Sequence, residues 1–65
     1  MRFNLKNARQ KAQLTQVELS NKLNISPRQY RSLEAGTSEG SVKVWSALKN
    51  LLDAPSIDFL LEQDD

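Results

Sequence analysis

The stretch Leu14–Gly36, LTQVELSNKLNISPRQYRSLEAG, constrains the fold more than any other part of the chain. Thr15 followed by Glu18 forms a capping box, in which the hydroxyl and the carboxylate satisfy free backbone donors at a helix start. Ser26-Pro27-Arg28-Gln29 forms a second one. Its proline stands at the first helical position, where a missing N–H costs nothing. Gly36 supplies the stop, because helices end readily on a residue in the left-handed conformation. Asn24, between the two helices, is the next best residue for that conformation. Two helices this short, joined by so tight a turn, must cross at a steep angle.

That geometry is a helix-turn-helix, and the flanking sequence supplies its support. A first helix is expected from near Asn4 to about Ala12, with Phe3, Leu5, Ala8 and Ala12 as its apolar stripe. The second, Gln16 to Lys22, turns Val17, Leu19 and Leu23 inward; Ile25 follows the turn. The third helix, around residues 27–35, buries Tyr30 and Leu33, and Leu14 joins the same core. After the polar loop Thr37-Ser38-Glu39-Gly40, Ser41 caps a fourth helix with Val44, Trp45, Leu48, Leu51 and Leu52 on its broad apolar face. Asp53-Ala54-Pro55 breaks it, since the residue before proline is pushed out of the helical region. Ser56 caps a short fifth helix carrying Ile57, Phe59, Leu60 and Leu61, and residues 62–65 are expected to fray. The expectation is an all-α, compact five-helix bundle occupying residues 1–65 as a single domain.

Composition excludes much of chemistry. A 65-residue chain buries only about 60% of its unfolded surface, leaving no room for both a core and a deep catalytic cleft. It has no Cys and no His, which removes disulfides, thiolate nucleophiles, imidazole catalysis and the usual zinc sites. Glu34, Glu39, Asp53 and Asp58 are scattered over separate elements without a nucleophile–base constellation. No glycine-rich phosphate loop and no metal-spaced cluster is present, so neither an enzyme nor a cofactor is expected. No apolar run approaches the roughly 20 residues of a membrane span, and the first residues lack the apolar middle of a signal peptide. A cytoplasmic protein is expected.

Charge is divided along the chain. Residues 1–31 carry seven cations against Glu18 alone, a balance of +6; residues 32–65 carry two lysines against seven acids, a balance of −5. Such asymmetry suits a basic face turned to phosphates and an acidic one turned away.

The residues Arg9, Leu14-Thr15-Gln16, Glu18-Leu19, Lys22-Leu23, Ser26, Leu33-Glu34 and Gly36 resemble the Cro/phage-repressor (XRE-type) helix-turn-helix family over nearly the whole chain. The segment from Gly40 to Leu52 looks like the fourth helix of small phage or mobile-element members. The resemblance implies a lambda-repressor-like bundle and a DNA-binding transcriptional regulator, a repressor by preference, acting as a dimer on a palindromic operator. It also implies an ion pair between Arg9 and Glu34, and a DNA-backbone contact from Gln16. Asn24, Ser20 and Tyr30 depart from the family's usual residues, and the Tyr30 hydroxyl requires a partner.

In such a module the recognition helix points its N-terminal residues at base edges. Arg28, Gln29, Arg31 and Ser32 face outward from the third helix, with Pro27 at its start. Arg28 can take O6 and N7 of a guanine, and Gln29 can pair with an adenine; a plain phosphate contact is the alternative for Arg28. Arg31, Lys43 and the loop residues Thr37 and Ser38 are expected on phosphates, which position without specifying. Trp45 has two places open: the core, or an apolar dimer surface with Leu52, Ile57, Phe59 and Leu60. A second functional class also stands, an antitoxin or adaptor that captures a protein partner through its acidic C-terminal half.

Overall fold

A computed structural model describes residues 1–63, and the five expected helices are all present. They are α1 (Phe3–Lys11), α2 (Gln16–Leu23), α3 (Pro27–Ala35), α4 (Val42–Leu51) and α5 (Ile57–Leu61). Among the described residues there is no strand. The starts are built as the sequence requires. Thr15 and Ser26 each accept from a backbone amide three residues on, and Glu18 and Gln29 reach back to complete both capping boxes. The Thr15 amide holds the Glu18 carboxylate below its ordinary pKa, so this box loses its acidic half as pH falls through that lowered value. Ser41 and Ser56 cap α4 and α5 in the simpler one-sided way.

The helix ends share one construction that the sequence does not announce. α1 to α4 each close with a 6→1 bond over a residue of positive φ: Gln13 (φ 61°), Asn24 (59°), Gly36 (82°) and Asp53 (52°). The four 6→1 bonds are Leu14 to Arg9, Ile25 to Ser20, Thr37 to Ser32, and Ala54 to Lys49. This is the Schellman geometry, which satisfies carbonyls that a helix end otherwise leaves free.

The core gathers Leu5, Leu19, Tyr30, Leu33, Trp45, Leu48, Leu52, Ala54 and Leu60, with Ala8, Leu14, Leu23, Ile25, Val44, Ile57 and Leu61 packed against it. Each fully buried leucine removes enough apolar surface from water to contribute roughly 1.5–3 kcal/mol. Trp45 therefore belongs to the core, and with Leu52 and Leu60 it is withdrawn from any dimer surface. Four residues expected inside are not. Phe3 is 43% exposed, Val17 50% and Leu51 42%, and Ala12, one residue beyond α1, is also exposed. α1 buries only Leu5 and Arg9, and α2 only Leu19 and Ser20, because elements this short present a single ridge to their neighbours.

The N-terminus supplies a core member that a reading by residue type cannot find. Arg2 is 4% exposed. Its guanidinium donates to the carbonyls of Leu33 (2.8 Å), Ser38 (2.8 Å) and Leu61 (3.3 Å) and lies 5.0 Å from the Trp45 ring centroid. The last turns of α3 and α5 thus aim their negative ends at one buried cation. Residues 62 and 63 are not frayed: Glu62 accepts from Asn4, and the Gln63 amide donates to the Gly36 carbonyl at 3.1 Å. Asp64 and Asp65, the rest of the expected frayed tail, lie outside the described residues.

Candidate nucleic-acid interface

The site begins with what fixes α3. Tyr30, Leu33 and Glu34 are its buried residues, and their spacing leaves Arg28 and Arg31 exposed and Ser32 half-buried at its edge. Glu34 is the anchor. Arg9 Nε donates to its Oε2 at 2.6 Å, with a second, longer arm of 3.5 Å, and Arg9 also donates to the Leu14 carbonyl at 2.8 Å. The charge-assisted bond to Glu34 raises the Arg9 pKa and ties α1 to α3. The implied ion pair is present, and it is buried.

Gln16 adds a strand to this cluster. Its Nε2 donates to Glu34 Oε1 at 3.4 Å, a long and weak bond. The side chain expected on a phosphate thus rests against the ion pair instead. The backbone amides of Gln16 and Val17, the first two of α2, have no acceptor among the described residues, and donors at a helix N-terminus suit an anion. The Tyr30 hydroxyl is buried and has no partner of acceptable geometry, alone in this among the described residues. Burial, with the Glu34 charge beside it, raises its pKa well above the ordinary value. The partner that the sequence requires for it is missing.

Further along the outward face, the expected base readers differ in what they have free. Arg28 makes no side-chain hydrogen bond among the described residues and is exposed. Gln29 Oε1 accepts from the Ser26 amide at 2.9 Å, so one half of its amide is already engaged in capping. Bidentate pairing with adenine needs both halves; Gln29 keeps a free Nε2 for a single donated bond. Ser32 Oγ donates to the Arg28 carbonyl at 3.2 Å, the back-bonding common for serine inside a helix, and its lone pairs remain open. Pro27 is half-buried at the helix start.

Gln29 and Ser32 also line a crevice of about 370 Å³ between α3 and the start of α4, together with Ile25, Leu33, Ser38, Gly40, Ser41 and Val44. The crevice brings the outward edge of α3 beside the loop before α4. Thr37 and Lys43, at the two ends of that region, are exposed, and Ser38 is half-buried. The exposed Glu39 in the same loop opposes a phosphate.

Charge is distributed less generously than a count along the chain implies. Arg2 and Arg9, two of the seven cations in the first half, are spent inside the molecule. Lys11 and Asp53 both line a separate groove on the α1 side. Lys6 lies half-buried on α1 and Lys22 exposed on α2, and Arg28, Arg31 and Lys43 are the cations of α3 and the start of α4. Asp58 and Glu62 are exposed on or just beyond α5, which packs on α1 and α4. Among the described residues no group of acids forms a metal site, and no helix is long and apolar enough to cross a membrane.

Two short helices, α2 and α3, joined by a tight turn and backed by a buried Arg–Glu pair that ties α3 to α1, form a helix-turn-helix. The profile of the helix-turn-helix family matches residues 5–60. The chain belongs to that family, the Cro/C1-type (XRE) helix-turn-helix proteins, whose members are DNA-binding proteins of the transcription-regulator type and bind double-stranded DNA. Searches of curated proteins and of solved structures return no match.

Proposed function

We propose that this protein is a sequence-specific transcriptional repressor that reads an operator through the major groove with α3. The observation that carries the reading is the unengaged, exposed Arg28 on a helix whose opposite side is locked by Tyr30, Leu33 and Glu34. A rigid helix with a free guanidinium fork can discriminate a guanine, and Ser32 and the Gln29 Nε2 add single bonds on either side. Phosphate contacts come from the Gln16 and Val17 amides, Arg31, Lys43 and the loop at Thr37 and Ser38. These set register without carrying sequence.

So small a set of contacts gives adequate affinity only when two copies bind two half-sites. The surface we assign to the second copy is the groove of about 510 Å³ between α1 and the α4–α5 segment. The exposed Leu51 and Phe59 line it with Ala8, Ala12 and Pro55, while Ile57 is half-buried nearby in sequence. Lys11 and Asp53 on its margins would pair reciprocally across a two-fold axis.

The test selects the operator from a random duplex library and then measures Arg28→Ala on it. The expected loss is about 1–3 kcal/mol with specificity relaxed at one base pair. An equal loss on selected and scrambled duplexes would demote Arg28 to a phosphate contact.

A further inference from the structure

The chain between α3 and α4 has its backbone polarity sorted by side chains from three distant places. The Gly36 carbonyl accepts from Gln63 Nε2 at 3.1 Å, the Ser38 carbonyl from Arg2 Nη1 at 2.8 Å, and the Glu39 carbonyl from Trp45 Nε1 at 2.6 Å. Acceptors in this segment are therefore drawn inward, one after another. The amides of Ser38, Glu39, Gly40 and Ser41 have no acceptor among the described residues. Gly40 makes this packing feasible: its φ is +70°, and a Cβ there would lie 2.8 Å from Leu33 and 2.9 Å from the Trp45 ring nitrogen.

Arg2 is the centre of this arrangement. It is a buried cation without a carboxylate partner among the described residues, and its one Nη1 bridges Leu33 on α3 to Ser38 in the loop. The same residue's backbone amide donates to the Glu34 carbonyl at 2.8 Å. In a trans peptide the N–H points opposite to its carbonyl, so the inward Ser38 and Glu39 carbonyls turn the Glu39 and Gly40 amides outward, the polarity a phosphate requires, whereas the amide opposite the Gly36 carbonyl, that of Thr37, donates to Ser32.

We infer that Arg2 is a positioning residue for DNA binding: it holds the loop before α4 against α3 with the Glu39 and Gly40 amides turned outward, ready for a backbone phosphate. This rests on the DNA-reading function proposed above. Arg2 touches no DNA itself; it acts through the Ser38 carbonyl, and Trp45 acts in parallel through the Glu39 carbonyl. Without the clamp the loop has to be ordered at the moment of binding, and that ordering weakens the complex.

The experiment compares the full-length chain with Arg2→Met and Trp45→Phe, each removing one inward donor by a different route. Backbone amide shifts are followed by NMR as a short mixed-sequence duplex is added at low salt. Affinity is measured beside them at a temperature where each protein is folded. Expected is a loss of the duplex-induced shifts at 38–41, persistence of those at 16–17 and 28–32, and binding about tenfold weaker, equivalent to about 1.4 kcal/mol. A merely structural Arg2 would lower the melting temperature and leave the shifts at 38–41 intact. Shifts at 38–41 in both variants equal to those of the parent, with affinity within twofold, overturn the inference. Should Arg2→Met fail to fold, Arg2→Lys, which keeps the charge but loses the planar fork that bridges Leu33 and Ser38, decides by the same criteria. No shifts anywhere in the parent protein would remove the DNA-reading function and this inference with it, a result distinct from loss of the loop effect alone.

Discussion

Glu34 is 2% exposed and offsets its desolvation by collecting donors: Arg9 at 2.6 Å and, more weakly, Gln16. Removing one partner of a buried pair leaves the other charge unsatisfied, which costs about 3–5 kcal/mol. A domain of this size has roughly 3–10 kcal/mol of total stability. Glu34→Ala is thus expected to be largely unfolded at 37 °C in a circular-dichroism melt, while Arg28→Ala melts within a few degrees of the parent. Equal losses in the two would remove the division between the residue that holds α3 and the residue that reads with it. Tyr30 presents the opposite case. Its hydroxyl is buried and unpartnered, so the folded state bears a desolvation cost that phenylalanine does not. Tyr30→Phe is expected to be stabilising by about 1 kcal/mol in urea denaturation. Destabilisation by the same amount would mean that the hydroxyl donates to Glu34 in solution.

Element by element, the four left-handed helix ends set the lengths of α1 to α4, and they are unequal in quality. Gly36 adopts its φ of 82° without strain, whereas Gln13 at 61° and Asp53 at 52° carry a side chain there. A residue with a Cβ in that region is strained by roughly 1–2 kcal/mol, of which glycine's greater unfolded-state freedom returns about half. Gln13→Gly, at an exposed position, is expected to raise the melting temperature by about 4 °C, following the usual scaling for small domains. An unchanged or lower melting temperature would show that the α1 end relaxes without glycine. The same comparison explains which features were legible in the sequence. Capping boxes are local, three residues wide and built from few residue types, so Thr15–Glu18 and Ser26–Gln29 could be read directly. Gln13 and Asp53 adopt conformations their residue types rarely take, and only the packing of the helices forces them. Phe3, Val17 and Leu51 lie at apolar positions at helical spacing, yet three-turn helices bury one ridge and leave its neighbours out.

At the scale of the whole molecule, the candidate site was half legible. The outward set Arg28, Arg31 and Ser32 follows from helix period once Tyr30 and Leu33 are placed inside. What periodicity cannot give is engagement of the same atoms within the protein: Gln29 Oε1 held by capping, and Gln16 resting on Glu34. Nor can it give Arg2, because an arginine at a chain start counts as surface charge until three carbonyls converge on it. The net effect is that charge near α3 is smaller than the sequence balance of the first half, and the proposed function therefore leans on two subunits and on backbone amides. Sedimentation of the protein with a selected operator is expected to find two chains per duplex; one chain at saturation would remove the dimer and leave the Leu51–Phe59 groove without an occupant.

The central claim is that α2's start, α3 and the loop before α4 form one DNA-contacting face, and an NMR titration with short duplexes at two salt concentrations tests it most directly. The account predicts shifts at the amides of Gln16 and Val17, of residues 28–32 and of residues 38–41, with Asp58 and Glu62 unmoved and all shifts weaker at the higher salt. Amides that stay still at the lower salt, or shifts confined to α5, would contradict it.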